Sequence, residues 1–144
     1  PKAVATYRDW NVFELSEGGD KVCFAVSEPK EKAPQNVRHG DVFFLVSTWK
    51  SGAARNQPSF MAGYALKDRS KPAVRIGSDK FDMYTSENEA FVEESSDEAR
   101  LIDAMRRGSR MRVTATSERG TATSYEISLL GVSAALDRVA EACR

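Results

Sequence analysis

Two cysteines and one histidine are the residues of this 144-residue chain best suited to nucleophilic or metal chemistry. Cys23 stands inside the apolar run DKVCFAVSEP, Cys143 is the second-to-last residue, and His39 sits in the polar stretch VRHGD. A catalytic cysteine needs a base to remove its proton and an electropositive setting to hold the thiolate. Nothing in the spacing ties Cys23 to His39, so His39 is expected to be a solvated loop residue. Structural zinc needs four ligands at close spacings, and no such cluster is present. There is no G-x-S-x-G elbow and no Gly-rich phosphate loop. The carboxylate pairs Glu93-Glu94 and Asp97-Glu98 precede a predicted helix, where the helix dipole favours acidic residues. No catalytic residue, cofactor or metal site is therefore assigned.

The cysteines have a better reading as a clamp. Leu136, Val139, Ala140 and Cys143 follow the i, i+3, i+4, i+7 spacing of one helix face. Cys23 lies in a predicted strand near the other end of the chain. A bond between them would tie the last helix to a sheet across 120 residues. In the chain-entropy model a loop of that size stabilises the fold by up to about 5 kcal/mol, less any native strain. Disulfides persist in oxidising compartments, which points to the periplasm or beyond. Two buried free thiols are the alternative. The chain opens on Pro1 rather than Met, the mark of a trimmed N-terminus. A secretory leader would have lain upstream, so its absence does not count against export.

Charge excludes some functions. The 21 basic and 21 acidic residues cancel, whereas a nucleic-acid partner calls for a positive footprint. No apolar stretch approaches the ~20 residues of a membrane span. The densest basic stretch, MRRGSRMRV, holds Arg106, Arg107, Arg110 and Arg112. It reads either as a solvated face following a helix end or as a patch for a small anion or lipid headgroup. The loop STWKSGAARNQPS gathers Trp49, Lys50, Arg55 and Asn56. An aromatic with polar neighbours on a loop suits partner recognition, and Trp49 at a strand end also suits a core.

Most of the chain must form strands to position these residues. VATYRDWNVFEL reads as one strand, with Trp10 and Val12 on one face and Phe13 and Leu15 on the other. Gly18-Gly19 turns it into KVCFAVS. A polar loop, EPKEKAPQNVRHGD, leads to VFFLVSTW, apolar on both faces and so read as a central strand buried on both sides. FMAGYAL reads the same way, AVRIG and KFDMYT form a hairpin around Gly77-Ser78-Asp79, and AFVEE is a weaker strand. The helix SSDEARLIDAMRR carries Ser95 three residues before Glu98, the spacing of a capping box. Leu101, Ile102 and Met105 form its stripe, and Gly108 stops it. SRMRVTATS turns Met111, Val113 and Ala115 inward, and SYEISLL answers with Tyr125, Ile127 and Leu129. About nine strands and two helices predict a mainly antiparallel β-sandwich with both helices packed on it, in one domain over residues 1–144.

The ordered series YRDWNVF, CFAVSEPKEKAP, VFFLVSTW, NQPSFMAGYALK, IGSDKFDMYT, LIDAMRRGSRMRVTATSERGTATSYEISLLG and AALDRVAEAC resembles the bacterial invasion-associated locus B family over nearly the whole chain. The D-W near the start, C-F-A, A-M-x-x-G, S-x-R-G-T, S-L-x-G and the final Cys carry the likeness together. Ile127 departs from it, standing where the family has an aromatic. The resemblance implies a protein exported by Gram-negative bacteria, periplasmic or outer-membrane-associated, with Cys23 and Cys143 joined in a structural disulfide. It supplies no catalytic site. One member linked to host-cell invasion named the family, and that role does not pass to this chain with the resemblance.

The reading that emerges is an exported, non-enzymatic protein that binds an envelope component or a host-interaction partner. The polar loops 28–41 and 50–59 are its contact candidates. The alternative is a small-molecule carrier or hydrolase, with Phe43, Phe60 and Tyr64 lining a pocket between the sheets. Thiol titration of the denatured, unreduced protein from its native envelope tests the clamp. Paired cysteines give no reactive thiol, and two reactive thiols would abolish the clamp.

Overall fold

A computed structural model describes residues 1–144. In chain order the elements are β1 (Lys2–Tyr7), β2 (Trp10–Glu17), β3 (Asp20–Ser27), β4 (Glu31–Ala33), β5 (Phe43–Trp49), β6 (Gln57–Met61), β7 (Ala73–Ile76), β8 (Asp79–Asp82), β9 (Tyr84–Ser86), β10 (Glu89–Phe91), α1 (Ser95–Arg107), β11 (Arg110–Thr116), β12 (Ala122–Ser128) and α2 (Val132–Ala142). They make two antiparallel sheets, one of seven strands in the order β1-β2-β3-β5-β6-β10-β9 and one of five in the order β4-β12-β11-β7-β8.

The sandwich expected from the sequence is present, with twelve strands in place of about nine. Residues 4–15 are a hairpin, not one strand. Arg8 adopts a left-handed backbone (φ 57°) and turns the chain so that Tyr7 faces Trp10. Apolar alternation runs straight through that turn, so periodicity alone hides it. The segment 80–85 splits between the sheets, β8 staying in the smaller and β9 joining the larger. Within the polar loop, Glu31–Ala33 pairs with β12 as an edge strand. FMAGYAL stays in the sheet only to Met61.

Period-two patterning sorts the side chains. Trp10, Val12, Cys23, Ala25, Phe44, Val46 and Phe60 line the inner face of the large sheet. Val74, Ile76, Met111, Val113, Tyr125 and Ile127 line that of the small one, and all join one core cluster of 31 buried residues. Phe60 and Tyr125 meet across the two layers at 5.4 Å. Helix α2 packs on β1, β2, β3 and β5, and α1 packs on β6, β8 and α2. The helices thus cover the part of the large sheet that five strands do not reach.

Helix α2 buries Val132, Ala135, Leu136 and Val139. Cys143, at its C-cap, is bonded to Cys23 of β3 with Cα atoms 5.9 Å apart. Ala140, predicted on that stripe, is exposed. Lys21 secures the same end of the helix: its Nζ donates to the Ala142 carbonyl at 2.9 Å and pairs with Glu14 at 3.2 Å, the charge a helix C-terminus favours.

The predicted capping box is absent from α1. Its N-cap is Glu94, with no side-chain cap. The Asp97 and Glu98 N–H groups both donate to the Glu94 carbonyl at 3.0 Å. Gly108 ends the helix without a left-handed turn (φ −91°). Space demands glycine there, since a Cβ would lie 2.6 Å from Ile76 Cγ2 and 3.1 Å from Leu129 Cδ1.

The D-W and S-L-x-G motifs dock on each other. Asp9 N–H donates to the Leu130 carbonyl at 3.1 Å, and Trp10 Nε1 donates to the Ser128 carbonyl at 2.8 Å. Asp9 Oδ2 accepts from Ser128 Oγ at 2.5 Å, and Oδ1 pairs with Lys30 at 3.1 Å. Gly131 takes a left-handed backbone (φ 93°) and lies so close to the Tyr7 carbonyl that any Cβ would clash with it. The Ser128 hydrogen bond, then that of Lys30, holds the Asp9 carboxyl below the usual carboxylate range. A carboxyl depressed in the folded state stabilises it fully above the unfolded pKa of about 3.9, and that contribution is lost as pH falls through the lower folded value. Asp9→Asn is therefore expected to melt below wild type at neutral pH. Melting curves should show the gap closing as pH drops from about 5 towards 2. A gap constant over that range would remove the carboxylate as its source.

Candidate functional site

Residues 50–56 form a tight, hydrogen-bonded turn. Trp49 N–H donates to the Ala54 carbonyl at 2.9 Å, and Lys50 N–H to the Lys21 carbonyl at 2.8 Å. Asp20 Oδ1 accepts from Lys21 N–H at 2.7 Å and Ser51 N–H at 3.1 Å. Hydrogen bonding to Ser51, then to the Lys21 backbone, lowers the Asp20 pKa. Asn56 serves the turn itself, with a left-handed backbone (φ 48°) and its N–H donating to Thr48 Oγ1 at 3.0 Å. Lys50 and Arg55 are exposed beside it. Trp49 is neither in the core nor free in the loop: it is half-buried on the outer face of the large sheet.

Strand register shows what surrounds Trp49. Val22 is its partner across the ladder, Phe24 lies opposite both Ser47 and Phe13, and Leu45 lies opposite Val26. Phe43 pairs with Met61. The Phe13 and Phe24 rings stack at 5.6 Å. Phe13, Phe24, Phe43, Leu45, Trp49 and Met61 are half-buried and lie outside the core cluster. Both helices bury their apolar stripes in that core, on the other side of the sheet. Over β2, β3, β5 and β6 this leaves an apolar patch with no charged side chain at its centre. In the sequence, β5 signals it by being apolar on both faces. Burial on both sides was expected, and the structure corrects this: Phe44, Val46 and Thr48 are buried, while Phe43, Leu45, Ser47 and Trp49 are only partly covered.

His39 also departs from expectation. It is buried, not solvated. Gly40 and Gly63 pass in backbone contact, where a Cβ on Gly63 would lie 2.7 Å from Asp41 N and from Gly40 Cα. Their neighbours His39 and Tyr64 consequently converge on Tyr125. His39 Nδ1 lies 2.8 Å from Tyr125 Oη, and Nε2 lies 2.7 Å from the Pro34 carbonyl. Tyr64 Oη is 2.6 Å from Tyr125 Oη and 2.7 Å from Thr123 Oγ1. Burial, then hydrogen bonding to Tyr64, raises the Tyr125 pKa well above the ordinary tyrosine range and keeps the phenol neutral. The sequence signal for this cluster is a pair of glycines flanking a histidine and a tyrosine, which points to a chain crossing only once the partner is known.

The remaining candidates separate. Phe43 faces outward, Phe60 is fully buried at the sheet interface and Tyr64 belongs to the hydroxyl cluster, so the three line no common pocket. Of the basic stretch, Arg106 pairs with Asp137 at 3.1 Å and Arg107 with Asp103 at 3.0 Å. Arg112 donates to Ser124 Oγ on the solvent face of β11. The disulfide consumes both thiols.

The sequence model of the family described as Invasion associated locus B (IalB) protein matches residues 10–140. No curated protein matches the chain. Among solved structures, the crystal structure of invasion associated protein B from Bartonella henselae is similar in fold, with a TM-score of 0.60 at 15% identity, covering 95% of this chain and 94% of that one.

If the outer face serves a partner and not the core, its side chains are expendable for folding. Phe44→Ala is expected to cost about 3–5 kcal/mol by opening a core cavity. Phe24→Ser, on the opposite side of the same sheet, should cost roughly 1–2 kcal/mol, from its partial burial and its cross-strand pair. Denaturant unfolding of the two variants checks this, and equal losses would mean that the outer face is structural.

Proposed function

The chain belongs to the invasion associated locus B family, and from that premise we propose an exported, non-enzymatic protein that binds a protein partner through the outer face of its seven-stranded sheet. The apolar patch around Phe24, Leu45 and Trp49 carries this reading. Interface centres are enriched in aromatics and Met and depleted in charge, inside a polar rim. The patch has that composition, and Lys50 and Arg55, together with Asp20 and Glu17, give its Trp49 side a charged rim of mixed sign. The corresponding partner surface is a flat apolar patch with charges of both signs beside it, since opposite charges at a rim steer encounter and fix register.

Size sets the class of complex. Four strands about 4.8 Å apart and seven residues of about 3.4 Å each span roughly 450 Å². Stable complexes bury about 800 Å² per partner. The patch therefore suits a transient partner better than a permanent dimer. The disulfide supports export, because such bonds persist outside the reducing cytosol. A periplasmic or outer-membrane-associated location is the compartment we propose. No helix is long and apolar enough to cross a membrane. The non-enzymatic reading rests on the bonded thiols and on His39, whose two ring nitrogens are both engaged.

Capture from envelope extracts tests the surface, with Leu45→Asp, Trp49→Ala and a Lys50→Glu/Arg55→Glu double variant beside wild type. The expected outcome is a partner held by wild type and lost with Leu45→Asp, with several-fold weaker and less salt-sensitive capture by the charge-reversed variant. Near-UV circular dichroism confirms that each variant is folded. A captured set unchanged by all three variants would sink the proposal. So would sedimentation showing a dimer that Leu45→Asp abolishes, because the occupant would then be a second copy.

A further inference from the structure

The hydroxyl cluster does not end in the core. Tyr64 and Thr123 reach the floor of an open cleft of about 430 Å³ that Val37, Arg38, Ala65 and the β11–β12 turn also line. Its walls are well tied. Ser117 N–H donates to the Thr121 carbonyl at 2.9 Å, and Glu118 N–H to the Ala65 carbonyl at 2.9 Å. Thr121 N–H donates to Ser117 Oγ at 3.1 Å. Arg38 and Arg119 stand exposed at the mouth, and neither forms an ion pair. Glu118 is the one acid among the lining residues, so the rim carries one net positive charge.

Counting protons fixes what the floor offers. The Pro34 carbonyl only accepts, so His39 Nε2 bears a proton. If His39 is neutral, Nδ1 accepts from Tyr125, Tyr125 accepts from Tyr64, and Thr123 divides its one proton between Tyr64 Oη and the Ala115 carbonyl. If His39 is an imidazolium, Nδ1 donates to Tyr125, Tyr125 to Tyr64, Tyr64 to Thr123, and Thr123 to the Ala115 carbonyl 3.2 Å away. Each hydroxyl has one proton, and in both directions the cluster uses it. Both states therefore leave Tyr64 Oη with a spare lone pair and no spare proton. The floor accepts hydrogen bonds, while the mouth attracts anions.

We propose that this cleft binds a small organic acid that also carries a hydrogen-bond donor. The carboxylate sits at Arg38 and Arg119, a geometry guanidinium groups favour. The donor, a hydroxyl or an ammonium, reaches Tyr64 Oη, and the apolar body lies against Val37, Ala65 and the Tyr64 ring. This site shares no residue with the outer face of the large sheet, so it stands or falls apart from partner docking.

The test is ¹H–¹⁵N NMR titration of the oxidised, full chain with three probes: 4-hydroxybenzoate, benzoate, and the neutral 4-hydroxybenzyl alcohol. 4-Hydroxybenzoate should shift the Ala65, Thr121 and Thr123 amides saturably at millimolar concentration. Benzoate should bind several-fold more weakly, and the alcohol about tenfold more weakly or not at all. Arg38→Gln/Arg119→Gln, an exposed pair that leaves the fold intact, should bring 4-hydroxybenzoate down to the level of the alcohol. Tyr64→Phe should make benzoate and 4-hydroxybenzoate equal. The ordering of the three probes on wild type keeps the test decisive even if Tyr64→Phe fails to fold. Shifts that do not saturate, shifts outside the cleft, equal response to all probes, or undiminished binding by the arginine variant would each overturn the proposal.

Discussion

The large sheet has seven strands and the sheet facing it has five, and most of the molecule's long-range organisation answers that mismatch. A sheet face rich in Trp10, Val12, Cys23 and Ala25 cannot be left to water, because burying apolar area is the main favourable term in folding. Helix α2 supplies the missing cover over β1, β2, β3 and β5. The helix is short, however, and short helices hold their place through packing more than through propensity. Three attachments hold it: the disulfide at its end, Lys21 on its last carbonyl, and the docking of the first hairpin against Ser128, Leu130 and Gly131 just before its start. The two ends of the chain thus close on each other.

The same constraint leaves the two sides of the large sheet unequal. Core packing consumes the inner side, including both helices. The outer side keeps its aromatics partly exposed and outside the core cluster. The cleft arises elsewhere, from the β11–β12 turn and the crossing of Gly40 and Gly63. The two proposed recognition surfaces are built on separate elements, so each can be tested without the other. A scaffold fixed by a covalent tie and a buried hydroxyl chain can present both without refolding.

Much of the architecture was legible in the residues. Alternation located the buried positions of β11 and β12, namely Met111, Val113, Ala115, Tyr125 and Ile127, because a period of two has only one burial solution once a face is chosen. The i, i+3, i+7 spacing placed Leu136, Val139 and Cys143 on one face of α2. Other features resisted. Arg8 turns the chain without glycine or proline, so the first hairpin read as a single strand. Ser95 and Glu98 had the capping spacing, yet the helix began without it. Gly108 looked like a conformational stop and is instead a packing requirement set by Ile76 and Leu129, which are far from it in sequence.

The sequence alone determined the class of fold and offered the two cysteines as partners across the chain, with free thiols as the alternative that the structure removes. These follow from local pattern and residue chemistry. Tertiary structure decided which apolar faces are used up. VFFLVSTW is equally apolar on both sides, and only the placement of the second sheet and the helices shows that Phe44 is core while Phe43, Leu45 and Trp49 remain available. It likewise decided that His39 is buried, since its partners Tyr125 and Tyr64 come from segments brought together by a crossing that no local pattern encodes. Contacts between segments distant in sequence, not the residues' own preferences, set which surfaces this fold leaves uncovered.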